Sequence, residues 1–334
     1  MTDALLDHGH SDAQDTGRPD DSLPDADGLA IGKYARATHH KDGLFSSVYR
    51  AEVPAEAPAG SAGSTHVVAL KVTFPSAMTP PHDSEREARM LVKLRFSSVI
   101  PLIETFSQPG GRLVLVFPFM PCDLATACRR RDFKHEAAKT CLRDLFSAIA
   151  YLHSLNVIHR DIKPSNVLLK SPTGPAYLAD FGIAWSQDEP PSEPADAKIT
   201  DVGTTCYRPP ELLFGNTRYD HTLDLWAAGC VVAEVTDGSH DTLFDSGELG
   251  SELALIHSIF DSLGTPDLQT WPEAALFPDW GKMVFYDYQP KGWSKLLPNT
   301  PDTARDLVSQ LVRYQSSERL PAEQALQHPY FVES

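Results

Sequence analysis

The sequence predicts an α+β protein of two lobes, a small β-rich N-terminal lobe and a larger α-helical C-terminal lobe. The pattern changes along the chain: short β-branched and aromatic runs come first, and apolar residues at helical spacing follow. Size supports the same architecture, because 334 residues, 42% of them hydrophobic, can bury a large core yet exceed one compact unit.

Three strand-like runs predict a small sheet in the N-terminal lobe, at residues 47–50, 66–72 and 113–117. Between the first two, residues 54–65 are dense in Pro, Ala, Gly and Ser. That composition predicts a surface hairpin loop without chemistry.

Apolar spacing predicts helices in the second half, over 142–152 and 307–312. The run 223–235 is apolar nearly all round, which predicts a helix buried at the centre of this lobe. It is far too short to span a membrane.

The formal net charge is −16, and residues 1–28 hold eight Asp and one Arg, hence −7. This acidity argues against nucleic acid as a direct partner. The acidic extension, residues 1–30, is interpreted either as a docking segment for basic partners or as a solvated, disordered tail, and composition favours the tail.

Five scattered cysteines without a CxxC pair predict neither a disulfide framework nor a zinc site, which fits a reducing compartment. The chain has no apolar run of membrane-spanning length, and its acidic start is unlike a secretory signal. We therefore expect a cytoplasmic or nuclear protein without a membrane partner.

Residues 159–169 read His-Arg-Asp-Ile-Lys-Pro-Ser-Asn-Val-Leu-Leu, in which Asp, Lys and Asn are spaced to hold a hydroxyl, a phosphate and a metal. The segment closely resembles the eukaryotic protein kinases, and the resemblance implies a bilobal protein kinase fold. It also implies that Asp161 accepts the substrate hydroxyl proton, Lys163 steadies the transferred phosphoryl group and Asn166 binds Mg²⁺.

Other motifs of the same family follow the expected order. Asp180, in Asp-Phe-Gly, matches the main Mg²⁺ ligand, and Lys71, in Val-Ala-Leu-Lys, matches the strand lysine that contacts the ATP phosphates. Its helical partner would be Glu87, with Glu85 as the rival candidate.

Residues 115–124 resemble the hinge that binds adenine in these kinases. The match places Phe117 behind the adenine, makes the Met120 backbone N–H the main donor and puts Asp123 near the ribose. The other predicted ATP-binding residues are Lys41, Gly43, Val48, Ala69, Phe119 and Leu168.

The phosphate loop departs from the family. Where kinases show G-x-G-x-x-G-x-V, residues 41–48 read Lys-Asp-Gly-Leu-Phe-Ser-Ser-Val, and only Gly43 remains. Either the nucleotide grip is impaired, even to a pseudokinase, or Lys71, Mg²⁺ and Lys41 bear the phosphate charge instead. The intact catalytic residues favour activity.

Residues 203–211 resemble the end of the activation segment in the CMGC group, which contains the cyclin-dependent and mitogen-activated kinases. Thr204 would bond near Asp161 and Lys163, as expected of Ser/Thr specificity. A buried pair of Glu211 with Arg319 is expected to be structural.

Cyclin-dependent kinases order this segment by pairing a phosphothreonine with three arginines. Arg86 and Arg160 match two of them, but Trp185 stands in the third place, and Thr200 is one residue out of register. Asp201 is the candidate for a built-in negative charge. We expect activity without loop phosphorylation, and a mobile insert at 186–198, which is rich in Pro and acidic residues.

The kinase resemblance covers residues 31–332, with lobes at about 31–120 and 121–332, and its departures most resemble fungal single-subunit kinases that activate cyclin-dependent kinases. That implies ATP and Mg²⁺ as cofactors, cyclin-dependent kinases as protein substrates and a monomer. Two alternatives stay open. The first is a proline-directed CMGC kinase, with or without a bound cyclin, since Gly203 can take the left-handed backbone that such enzymes use. The second is a non-catalytic interaction module.

Overall fold

The computed structural model describes residues 28–54, 65–189 and 193–333. Its two lobes, one a curled sheet and the other mainly helical, confirm the predicted fold class. The predicted acidic extension, residues 1–30, lies outside the described residues up to residue 27, but its last two residues form the start of the first strand, Leu29–Ile31, so the extension ends earlier than predicted. Most of the predicted Pro, Ala, Gly and Ser loop, residues 55–64, also lies outside the described residues.

The N-terminal lobe is built on a six-stranded antiparallel sheet in the order β1-β2-β3-β4-β6-β5. Its strands are β1 (Leu29–Ile31), β2 (Tyr34–Asp42), β3 (Ser46–Pro54), β4 (Thr65–Thr73), β5 (Glu104–Gln108) and β6 (Arg112–Pro118). The three predicted runs lie in β3, β4 and β6. Strand β2 was not predicted, because most of its side chains are solvent-exposed and its sequence lacks strict apolar alternation.

Helix α1 (Ser84–Lys93) carries the glutamate candidates against this sheet. Asp83 caps the helix by accepting a hydrogen bond from the Arg86 backbone N–H at 2.8 Å. The helix buries Glu87, whereas Glu85 is exposed. The helical register therefore selects Glu87 over Glu85 as the inward-facing carboxylate.

The C-terminal lobe is mainly helical, with short strand pairs near the cleft. Its helices are α2 (Leu124–Cys128), α3 (His135–Ser154), α4 (Pro210–Leu213), α5 (Thr222–Asp237), α6 (Glu252–Leu263), α7 (Trp293–Leu296), α8 (Asp302–Leu311), α9 (Ala322–Ala325) and α10 (Pro329–Val332). Its short strands are β7 (Cys122–Asp123), β8 (Val157–Ile158), β9 (Val167–Leu169), β10 (Ala176–Leu178) and β11 (Trp185–Ser186).

Helix α5 is the buried centre of this lobe, as predicted, since every residue from 223 to 235 is buried. Gly229 lets α8 come close: a Cβ there would lie 2.6 Å from Val312 Cγ2. The predicted apolar faces over 142–152 and 307–312 fall in α3 and around α8, and both are buried. Within the described ranges, no helix combines the length and apolarity needed to cross a membrane.

A buried ion pair ties the activation segment to the C-terminal part of the lobe. Arg319 Nη1 and Nη2 donate to the two Glu211 carboxylate oxygens at 2.5 and 2.7 Å, which confirms the predicted pair. The Arg319 guanidinium also lies 5.2 Å from the centroid of the Trp226 ring. Two parallel hydrogen bonds of this kind fix the relative orientation of the two side chains in addition to pairing their charges.

Candidate active site

The cleft between the lobes holds two adjoining cavities, of about 340 and 600 Å³. The first is lined by every residue predicted to contact the nucleotide: Lys41, Gly43, Val48, Ala69, Lys71, Phe117, Phe119, Met120, Asp123 and Leu168. The second is lined by the predicted catalytic residues Asp161, Lys163 and Thr204. Lys71, Asn166 and Asp180 line both, so they lie where a nucleotide and a substrate would meet.

The hinge segment places backbone groups along the first cavity. Strand β6 pairs with β4 so that Phe117 lies opposite Ala69. The Phe119 N–H donates to Val67 O at 3.1 Å and is therefore already used within the chain. Since the preceding proline has no N–H, Met120 provides the next backbone donor along the cavity wall.

The floor of this cavity comes from the pairing of β7 with β9, in which Asp123 lies opposite Leu168. Asp123 also caps α2, because its Oδ1 accepts from the Thr126 N–H at 2.7 Å. This capping role was not predicted, although an Asp directly before a helix is the ordinary sequence signal for a cap.

The glycine-poor loop forms a tight hairpin between β2 and β3. The Gly43 N–H donates to Ser46 O at 2.7 Å, and Lys41 pairs with Val48 in the strand ladder. Lys41 therefore lies in extended strand backbone, where a side chain costs no left-handed strain. Its exposed side chain borders both cavities.

Lys71 is held between two carboxylates. Its Nζ lies 2.8 Å from both Glu87 oxygens and 2.9 Å from Asp180 Oδ1. Burial acts to lower the pKa of Lys71, but the charges of Asp180 and Glu87 outweigh it, so this pKa lies well above its ordinary value. The Lys71 charge in turn holds the pKa of the Asp180 carboxyl far below its usual range. Both groups are fully charged at neutral pH.

A second network surrounds Asp161. Its carboxylate accepts from Thr204 Oγ1 at 2.9 Å and from Asn166 Nδ2 at 2.9 Å. Lys163 Nζ donates to Thr204 Oγ1 at 2.8 Å and lies 2.8 Å from Asp161 Oδ2. The structure therefore brings these four predicted residues together in one hydrogen-bonded unit.

The segment at residues 159–169, called the catalytic loop below, is supported by an aspartate that was not predicted to be functional. Asp224, buried in α5, accepts the backbone N–H groups of His159 and Arg160, each at 2.9 Å. Its signal was an acidic residue within the run 223–235 that was predicted to be buried. Arg160 and Asp180 have φ of +70° and +65°, which is strained backbone next to the site, and the hydrogen bond to Asp224 helps to hold it at Arg160.

Asn166 and Asp180 fit a divalent cation. Asn166 uses Nδ2 for its bonds to the Asp161 main-chain oxygen and carboxylate, which leaves the amide Oδ1 as the ligand atom. The Asp180 side chain is 50% exposed and fully ionised. Amide and carboxylate oxygens are the ligands that Mg²⁺ prefers.

Two expectations about the activation segment need correction. Asp201 was the candidate for a negative charge next to Arg86 and Arg160, but its Oδ1 instead binds Arg208 Nη2 at 2.6 Å. The described part of the insert at 186–198 is anchored rather than mobile, since Glu189, Glu193 and Lys198 are buried. Composition predicted mobility because it cannot reveal buried partners on distant elements.

Thr204→Val is expected to lower kcat by about tenfold to a hundredfold with little change in thermal stability, because Val keeps the shape and removes the hydroxyl between Asp161 and Lys163. Steady-state transfer of labelled phosphate to a protein substrate measures this. Thr204→Ser retains the hydroxyl and should stay within a few-fold of the parent. Equal kcat for Thr204→Val and the parent would contradict the assigned role.

Comparison with known proteins agrees with this geometry. The sequence model of the family described as "Protein kinase domain" matches residues 43–331. Serine/threonine-protein kinase csk1 of Schizosaccharomyces pombe is 35% identical over 280 residues, covering 83% of this chain and 87% of csk1. Human cyclin-dependent kinase 20 is 34% identical over 255 residues, covering 75% and 70%.

Among solved structures, the crystal structure of the yeast RNA Pol II CTD kinase CTDK-1 complex contains a similar chain. The TM-score is 0.72 at 26% identity, and the match covers 85% of this chain and 93% of that one. The family match spans most of this chain, and membership implies the use of ATP and a divalent cation. The chain therefore belongs to the protein kinase family and is a serine/threonine-protein kinase of the cyclin-dependent-kinase-like group.

Proposed function

We propose that this kinase acts as a monomer in the cytoplasm or nucleus and transfers the ATP γ-phosphoryl group, with Mg²⁺, to the activation-loop threonine of cyclin-dependent kinases. The observation that carries the proposal is that the chain supplies its own contacts to α1. Glu189 binds Arg89 and Lys93 of that helix, and Glu87 of the same helix is paired with Lys71. A helix held from within the chain supports activity without a cyclin.

The arrangement supports phosphoryl transfer by positioning and charge. Asp161 orients the substrate hydroxyl and accepts its proton, while Lys163 and Thr204 hold the Asp161 carboxylate in place. Asn166 and Asp180 would hold Mg²⁺, which supplies positive charge against the developing phosphate charge when bound. Lys71 orients the phosphates, and Glu87 fixes Lys71.

The direct test uses the purified chain, Mg-ATP and two acceptors: an inactive cyclin-dependent kinase and a generic Ser-Pro peptide. We expect label only on the activation-loop threonine of the kinase acceptor, and a version of that acceptor with Ala at the threonine should take up none. Transfer to neither acceptor would contradict an activating kinase that works alone. Preferential transfer to the peptide would instead favour a proline-directed kinase, which is the second candidate function.

That second candidate, a proline-directed kinase, is favoured by one observation. Gly203 has φ of +73°, and Arg208 Nε and Nη2 donate to its carbonyl oxygen at 3.1 and 3.0 Å. A carbonyl satisfied in this way needs no N–H from the substrate residue that follows the phosphorylated one, so proline fits there. A kcat/KM for Ser-Pro peptides at least tenfold above that for matched Ser-Ala peptides would support this candidate.

Lys41→Met is expected to raise the KM for ATP about three- to tenfold with kcat nearly unchanged, because the exposed lysine would add only uniform attraction to the phosphates. Lys33→Met, on an exposed lysine of the same lobe that binds Glu104, is the matched control. An unchanged KM would show that Lys41 does not contribute to binding the nucleotide. If the control raised the KM for ATP equally, the effect would come from the net charge of the N-terminal lobe and not from the position of Lys41.

A further inference from the structure

The side chain of Glu193 is buried against an arginine of the catalytic loop. It is 4% exposed, and its Oε1 accepts a hydrogen bond from Arg160 Nη1. Arg86 of α1 is the second cation near this carboxylate. Burial lowers the pKa of Arg86, and the positive charge of Arg160 lowers it further. The negative charge of Glu193 is among those that raise the pKa of Arg86. The Glu193 carboxylate therefore lies where α1, the catalytic loop and the activation segment meet.

Trp185 completes the same site from the segment that follows Asp180. Its indole N–H donates to the Glu193 main-chain oxygen at 3.3 Å. The Lys198 ammonium lies 4.7 Å from the centroid of the Trp185 ring and donates to Tyr219 O at 2.8 Å. The backbone of Glu193 is thus fixed by an aromatic residue at the position where a third arginine would approach a phosphate.

The charges match a carboxylate rather than a phosphate. A phosphorylated threonine brings about −1.5 to −2 charges and three oxygens, which suits three guanidinium groups. Here the buried Arg160 donates to one carboxylate of charge −1, that of Glu193, and to Tyr219 OH at 3.0 Å. The buried Arg86 is influenced by the negative charges of both Asp83 and Glu193. Removing either member of such a buried pair leaves an uncompensated charge.

A second glutamate in the same insert extends these contacts to α1. Glu189 is 3% exposed, and its two oxygens accept from Arg89 Nε at 3.1 Å and from Lys93 Nζ. Both cations lie on the helix that carries Glu87. The insert therefore connects the catalytic loop to the helix that positions Lys71.

We propose that Glu193, assisted by Glu189, permanently replaces the activating phosphate, so that the catalytic loop and α1 are ordered without any phosphorylation of this chain. Glu193 is a positioning residue: it acts through Arg160, which directly precedes Asp161, and touches neither reacting group. This inference rests on the kinase activity proposed above and assigns its regulation to the activation segment itself.

The test compares Glu193→Gln, Glu193→Asp and Glu189→Gln with two controls at exposed residues, Asp188→Asn and Glu85→Gln, all in the full chain. Glu193→Gln keeps the side-chain size and removes the charge, and we expect kcat to fall about tenfold to a hundredfold with KM for ATP within a few-fold. Glu193→Asp should recover part of kcat, Glu189→Gln should lower it less, and both controls should match the parent. A merely structural role would lower thermal stability without a selective effect on kcat.

A second measurement does not depend on whether the variants fold. The parent chain is treated with a phosphatase, mass spectrometry verifies the absence of phosphate on residues 186–204, and transfer to the acceptor is measured. Undiminished transfer supports the proposal. Transfer lost on treatment, or Glu193→Gln as active as the parent, overturns it. No transfer by the parent before treatment would instead be a failure of the proposed function, so the two failures are distinguishable.

Discussion

Asp180→Asn is expected to lower phosphoryl transfer by at least about 1000-fold while leaving the fold intact, because the change removes the charge that would hold the metal and keeps the side-chain shape. The carboxylate is 50% exposed and lies 2.9 Å from Lys71 Nζ, so an amide can occupy the same space and still accept that hydrogen bond. The measurement is single-turnover transfer from Mg-ATP to a protein acceptor.

The matched control is Asp188→Asn, an exposed aspartate of the same segment, which should transfer phosphate at the parental rate. Thermal unfolding of both variants should lie close to that of the parent. If Asp180→Asn retained more than about a tenth of the parental rate, Asp180 would be removed from the reaction centre, and the metal would have to be held elsewhere.

Glu211→Gln is expected to cost about 3–5 kcal/mol of unfolding free energy, because it leaves the Arg319 guanidinium buried without its counter-charge. Urea unfolding followed by tryptophan fluorescence measures the change. Glu52→Gln breaks an exposed pair with Arg50 and should cost less than about 1 kcal/mol.

A double variant separates charge from packing at this pair. Replacing both partners, Glu211→Leu with Arg319→Met, removes the isolated charge and should recover much of the loss. If Glu211→Gln cost no more than the exposed control, the pair would contribute orientation alone. If the double variant were less stable than Glu211→Gln, the hydrogen bonds of Arg319 to the surrounding backbone would contribute more to stability than the ion pair does.

The parts of this site that the sequence predicted are those encoded by local order and spacing. Asp161, Lys163 and Asn166 lie on one loop, and Asp180 follows a short strand pair, so their positions depend on few intervening conformations. Glu87 was the predicted partner of Lys71 and Glu85 its rival, and the structure buries Glu87 on the inner face of α1 while Glu85 is exposed. The exposed strand β2 was missed because side-chain burial, not propensity, generates the alternating pattern.

The activation segment shows why composition alone fails. Acidic residues and prolines favour an unstructured interpretation unless each carboxylate has a partner, and the partners of Glu189 and Glu193 lie 96 to 100 residues and 33 residues away in sequence. Asp201 is nearer to the expected phosphosite, yet its neighbour Arg208 takes its charge. Long-range pairing of this kind is decided by topology, which a motif does not encode.

The pair of Glu211 with Arg319 also bears on how the molecule forms during synthesis. Its partners are 108 residues apart, so Glu211 leaves the ribosome long before its counter-charge exists. At about 5–20 residues per second, the wait is roughly 5–20 s, during which the helical lobe cannot complete its interior. We expect the nascent chain to expose apolar surface over that interval, and we expect chaperones to bind it at this stage of synthesis.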